Sequence, residues 1–177
     1  MSPVRRLAIA GAGVIAGGAV VAAGSKLAWA TATPRASAVS VPGFPKVVLA
    51  GGRVTMDAAA VGGGSLLGLG LLLALVPLGW LVAGPRGRTV LAVIALGICG
   101  VVFWQVAHTR NELVRRAAPV ASRELRTASF RIASGNGVPV TAAGAALAAV
   151  GAVVGATVGG GAPRMGLPDR PDRGPEP

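Results

Sequence analysis

The sequence predicts an all-α membrane protein with four transmembrane helices and a small β element in the first extracytoplasmic loop. Three observations carry this. Only 13% of the residues are charged, against about 25% in an ordinary soluble domain. Four uncharged stretches each approach the roughly 20 residues that a helix needs to cross a bilayer. The basic residues, which give a formal charge of +11, lie between those stretches rather than inside them.

The first stretch, Leu7 to Ser25, follows Arg5-Arg6 and precedes Ala28-Trp29-Ala30. It has the parts of a signal peptide: basic lead, apolar run and an A-x-A site. However, the run of 19 residues exceeds the roughly 7–15 of a signal-peptide core. A retained helix over about 7–27 is therefore expected. Cleavage after Ala30 would leave three crossings instead.

The second helix is expected over 58–83, around "GSLLGLGLLLALVPLGWLVAG". Pro77 is compatible with it, because membrane helices tolerate proline. The third is expected over 89–108, and "GPRGR" (84–88) is short enough to force an antiparallel hairpin. The fourth, over 138–160, is rich in Ala and Gly and contains one leucine, Leu147. The four helices form one domain over 1–166. The Pro- and charge-rich end, 167–177, lacks the apolar residues to fold and is expected to be disordered.

Orientation rests on competing signals. With both termini cytoplasmic, seven basic residues fall inside and ten outside, which opposes the positive-inside rule. Against this, Arg5-Arg6 precede the first helix, which usually dominates, and "GPRGR" is the shortest and densest loop. Both termini are expected to be cytoplasmic, in a bacterial plasma membrane; 15 Arg against two Lys fits GC-rich coding. Trp29, Trp80 and Trp104 fall near helix ends and read as interfacial anchors.

Small residues four apart let helix backbones approach closely. Gly13 and Gly17 make one such pair, Gly64 and Gly68 another, and Gly151, Gly155 and Gly159 a strip. Packing within the monomer and association with a partner helix both use such faces. In the second loop, Val114, Ala118, Ala121, Leu125, Ala128 and Ile132 share one helical face. Arg115, Arg116, Arg123 and Arg126 occupy other angles, as lipid-headgroup contacts of a surface helix would. Pro119 either interrupts that helix or starts a second one. The first loop leans to β: "SAVSV" and "KVVLA" flank "PGFP", and "GGRVTM" follows.

Several function classes lose support. His108 is the single histidine and Cys99 the single cysteine, so no His-based metal cluster or intrachain disulfide can form. All six acids lie outside the helix cores, which disfavours a proton relay. Basic stripes with interleaved aromatics are missing, so nucleic acid is not an expected partner. No catalytic residues and no cofactor are expected; the partners are the bilayer and a second copy or another membrane protein.

The order of features resembles the tryptophan-associated transmembrane protein family of high-GC Gram-positive bacteria. The likeness runs over about 4–166: an Arg-led first helix, Trp29 just after it, a β-leaning loop, "GPRGRTVLAVIALG", a third helix, a weaker fourth, and "PRMG" near the end. The Arg-Tyr that commonly follows in the family is replaced here by "LPDRPDR". The resemblance implies four membrane helices and genes beside tryptophan-biosynthesis genes, which is a location and not a mechanism. The functional expectation is a non-enzymatic accessory or helix-packing protein. The alternative is a small transport or efflux component for an aromatic metabolite.

Overall fold

The computed structural model describes residues 3–34, 53–125 and 130–159. Helix accounts for 78% of them. In chain order the elements are α1 (Pro3–Lys26), β1 (Ala30–Pro34), β2 (Val54–Met56), α2 (Ser65–Val82), α3 (Pro85–Asn111), α4 (Leu113–Leu125), β3 (Phe130–Ser134) and α5 (Gly137–Gly159). Four helices, α1, α2, α3 and α5, are long and apolar enough to cross a membrane.

Three of the four agree with the sequence expectation to within a few residues. The second does not begin at 58. Residues 58–62 form turns, and α2 starts at Ser65. Asp57 sets the turn by accepting a hydrogen bond from Ala60 N–H at 3.1 Å, and Gly63 N–H donates to Ala58 carbonyl at 2.6 Å. Gly62 then takes φ +92°, a left-handed conformation that glycine adopts without steric cost. The remaining 18 residues span about 27 Å at 1.5 Å per residue. Pro77 stays inside α2, and its ring is buried beside Gly11 of α1. At the far end, the Trp80 carbonyl, one of the helix's last unpaired acceptors, receives the Arg88 Nε–H at 3.1 Å. Pro85 opens α3 at a position where its missing N–H costs nothing.

Successive long helices run antiparallel and pack α1 to α2, α2 to α3, α3 to α5 and α5 back to α1. The contact of α1 with α5 is the most extensive. At one end sits a three-stranded antiparallel sheet in the order β2-β1-β3. Ala30 pairs with Met56 on one side and Ser134 on the other. The sheet therefore ties together the two loops at that end, and α4 lies across it.

The β-leaning reading of the first loop is realised in β1 and β2. The segments "SAVSV" and "KVVLA" lie outside the described residues, as do Arg126, Ala128 and 167–177. β3 was not expected: Ile132, assigned above to a helical face, is in a strand. The amphipathic helix exists as α4 and continues through Pro119, but its buried face coincides with the expected one only in part. Leu113, Ala117 and Ala121 are inside, while Val114 is 63% exposed. The buried face runs through 113, 117 and 121, so the expected face is met at Ala121 and displaced by one residue at Val114 and Ala118.

Candidate functional site

The helix interfaces are built from backbone. A Cβ added to Gly17 would lie 2.5 Å from Ala148 N and 2.6 Å from the Gly144 carbonyl oxygen. One at Gly151 would lie 2.8 Å from the Ala10 carbonyl oxygen. Gly13 faces the Gly151 Cα at an ordinary 3.4 Å. On the other side of α1, a Cβ at Gly18 would lie 2.6 Å from the Gly70 carbonyl oxygen, and one at Gly70 would lie 2.7 Å from Ala22 N. Glycine at these points lets the dispersion contacts of whole backbones replace the hydrophobic drive that lipid removes.

Of the residues singled out for packing, Gly13, Gly17 and Gly151 therefore belong to the α1–α5 seam. Gly155 faces the six-membered ring of Trp80, which reaches across from α2. Gly64 and Gly68 meet no other helix among the described residues. Among the described residues outside its own turn or helix, a Cβ at Gly64 would meet the Ala59 Cα at 4.0 Å and one at Gly68 would meet nothing within 4 Å. Gly159 closes α5, and its surroundings lie outside the described side chains. Gly18, Gly70 and Gly144 went unrecognised because each has alanine, not glycine, four residues later: Ala22, Ala74 and Ala148.

The tryptophans divide. Trp29 is completely buried and Trp80 is 2% exposed, so protein, not lipid headgroup, surrounds both. Trp29 lies beneath the sheet, its Nε1–H donating to the Gly24 carbonyl at 2.9 Å. Its indole occupies the space a side chain at residue 137 would need, which makes Gly137 a packing requirement. The Trp80 indole N–H has no acceptor among the described residues. Only Trp104, 66% exposed, keeps the outward position of an anchor.

Trp104 also begins a column along the end of α3. Its ring stacks on His108, with centroids 5.4 Å apart and planes within 4°. Arg116, one turn into α4, donates to Glu112 Oε2 at 2.7 Å from Nε and lies 3.0 Å from His108 Nε2. A guanidinium can only donate, so this contact is a hydrogen bond when the imidazole presents a bare Nε2. Arg116 holds the Glu112 carboxyl below the ordinary carboxylate range, chiefly through that hydrogen bond. The guanidinium occupies the space beside Gly62 where a Cβ would stand. His108 is thus part of a clamp across the α3–α4 corner, rather than a freely solvated group. Arg115 and Arg123 remain exposed. Among the described residues no three His, Cys, Asp or Glu side chains come together to hold a metal ion.

A cavity of about 490 Å³ opens between α3 and α5 at the sheet end. Arg110 and the Ser134–Asn136 turn border it, with Phe103, Val106, Val138 and Ala142 below. At the opposite end a second hollow of about 370 Å³ lies between α1 and α2, lined by Leu7, Gly11, Ile15, Pro77 and Trp80.

Comparison with protein-family models, with curated proteins and with solved structures yields no match for this chain.

Proposed function

We propose that the chain is a multi-pass protein of a bacterial plasma membrane. Both termini are cytoplasmic, α1 is retained, and the protein acts as a non-enzymatic accessory that packs against another membrane helix. Support for insertion comes from the outward faces of the long helices, where Leu71, Leu72, Leu75, Leu78, Val93 and Leu81 are exposed. Lipid is the solvent in which such a belt costs nothing. Retention of α1 is supported by its seam with α5 and by the residues around the A-x-A site. Trp29 N–H donates to the Met56 carbonyl at 2.7 Å, and the Trp29 carbonyl accepts from Gly135 N–H at 2.8 Å.

The observation that carries the accessory role is the division among the glycines. Gly17, Gly18, Gly70 and Gly144 are locked against neighbouring backbone, which fills the bundle and argues against a conduit along its axis. Gly97 and Gly100 on α3, and Gly68 on α2, have no atom of another described element within 4 Å of the Cβ position. Gly97, Gly100 and Trp104 follow each other by three and four residues, on one helix face. Small residues on a lipid-facing surface permit close approach of a partner helix.

Crosslinking and co-purification from the native membrane test this. The wild-type chain is expected to capture a partner helix, its own or another protein's. Gly97→Leu with Gly100→Leu is expected to lose that capture while the purified monomer keeps its melting temperature. If the wild type captures nothing, and deletion of the protein changes aromatic-metabolite accumulation, transport replaces the accessory reading.

A further inference from the structure

We propose that the cavity between α3 and α5 is a binding site for one anionic phospholipid. The argument begins with polarity along its length. Phe103, Val106, Ala107 and Arg110 recur on one face of α3, and Val138, Pro139 and Ala142 on the facing side of α5. Phe103 and Arg110 are separated by about 10 Å along the helix at 1.5 Å per residue. Arg110 lies toward the sheet, beside Ser134 and Asn136, and Phe103 and Ala142 lie toward the middle of the bundle. The pocket is therefore cationic and polar at the end nearer water, and apolar at the end nearer the bilayer centre. A phospholipid has that same gradient, with a phosphate above and an acyl chain below.

Charge selects among lipids. The acids described near this end are engaged: Glu112 with Arg116 at 2.6 Å and Asp57 with Lys26 at 4.0 Å. Arg110 has no ion pair and no side-chain hydrogen bond within the described residues. It stands at the rim as a cation without a counterion among the described residues, and a planar guanidinium matches a phosphate through paired N–H donors. Below it, Val106 and Val138 are nearly buried and supply the walls for the first part of an acyl chain. The site is distinct from the exposed Arg115 and Arg123, which can meet anionic headgroups only in the undirected way of any basic surface. It rests on the membrane reading given above.

Native mass spectrometry of the full chain in detergent tests the assignment. Phosphatidylglycerol and phosphatidylcholine of the same acyl chains are offered together. The wild type should retain one phosphatidylglycerol in preference. Arg110→Gln should lower that preference about fivefold, the size of one partly exposed ion pair, with phosphatidylcholine unchanged. Arg115→Gln should leave the preference intact. Ala142→Trp, which fills the apolar half, should reduce retention of both lipids. Inorganic phosphate at millimolar concentration should not displace the lipid, and displacement would assign the site to a free anion. An undiminished preference in Arg110→Gln, or an equal loss in Arg115→Gln, overturns the proposal. Alkaline carbonate extraction of the same cells judges the membrane reading separately, since lipid retention in detergent does not depend on it.

Discussion

Replacing Gly17 by leucine is expected to separate α1 from α5 and to unfold the bundle. The new Cβ alone would stand 2.5–2.7 Å from Ala148 N, the Gly144 carbonyl oxygen and the Ala148 Cβ. Two of these are backbone atoms of a helix that is itself held at several points, so no side chain can swing away to make room. Overpacking a close-packed interface commonly costs about 1–3 kcal/mol. A full isobutyl group against backbone should exceed that range, since the helices must part along their length. Loss of the helical melting transition in detergent, followed by circular dichroism, is the measurement. Gly68→Leu provides the control: its Cβ would enter open space, and its transition should coincide with the wild type.

Trp29→Ala is expected to release the sheet from the bundle. The indole is completely buried, and it contacts the start of α5 while its Nε1–H satisfies the Gly24 carbonyl near the end of α1. Truncating a buried aromatic to alanine costs about 3–5 kcal/mol, and the Gly24 carbonyl would lose its donor as well. Trp29→Phe keeps most of the packing and loses the hydrogen bond, so its cost should be nearer 1 kcal/mol. Hydrogen exchange localises the effect. The amides of β1, β2 and β3 should lose protection in Trp29→Ala, while those in the middle of α2 and α3 keep theirs. Uniform loss across all helices would mean that Trp29 supports the whole bundle.

The long helices were legible because uncharged length is a property of a single segment. The start of the second was not, because Ala58, Val61 and three consecutive glycines at 62–64 are as uncharged as the helix that follows. Only the Asp57 turn and the positive φ of Gly62 separate them, and these are three-dimensional facts. β3 was hidden for a related reason. The residues "FRIAS" show no strand pattern strong enough to outweigh a helical reading, and their pairing partner, β1, belongs to the other loop. The packing seam was half legible. Gly13 and Gly17 stand out as a glycine pair, whereas Gly18, Gly70 and Gly144 are each followed by alanine at the fourth position and are lost among the many Ala and Gly of this chain. Gly64 and Gly68 have the same spacing but face no helix among the described residues, and spacing alone does not tell an inward face from an outward one. Trp29 and Trp80 near helix ends suggested the membrane interface. A ring at that depth can equally point inward, and both do.

The clamp of His108, Glu112 and Arg116 follows from residues four apart, visible in the sequence as H-x-x-x-E-x-x-x-R. Its continuity across the break at Glu112 required the structure, because α3 ends at Asn111 and α4 begins at Leu113. Its place beneath the Gly62 turn also depends on which loops share that end of the bundle.

The central claim is a bundle that crosses the membrane four times, with α1 kept and the sheet end outside. Topology mapping tests it most directly, with a reporter placed in turn ahead of Met1, after Asp57, after Gly84 and after Pro177. The account predicts a cytoplasmic signal ahead of Met1, after Gly84 and after Pro177, and an external signal after Asp57, with the first reporter still joined to the full-length chain. Release of the Met1 reporter on a fragment ending at Ala30, or an external signal after Gly84 or Pro177, would contradict it.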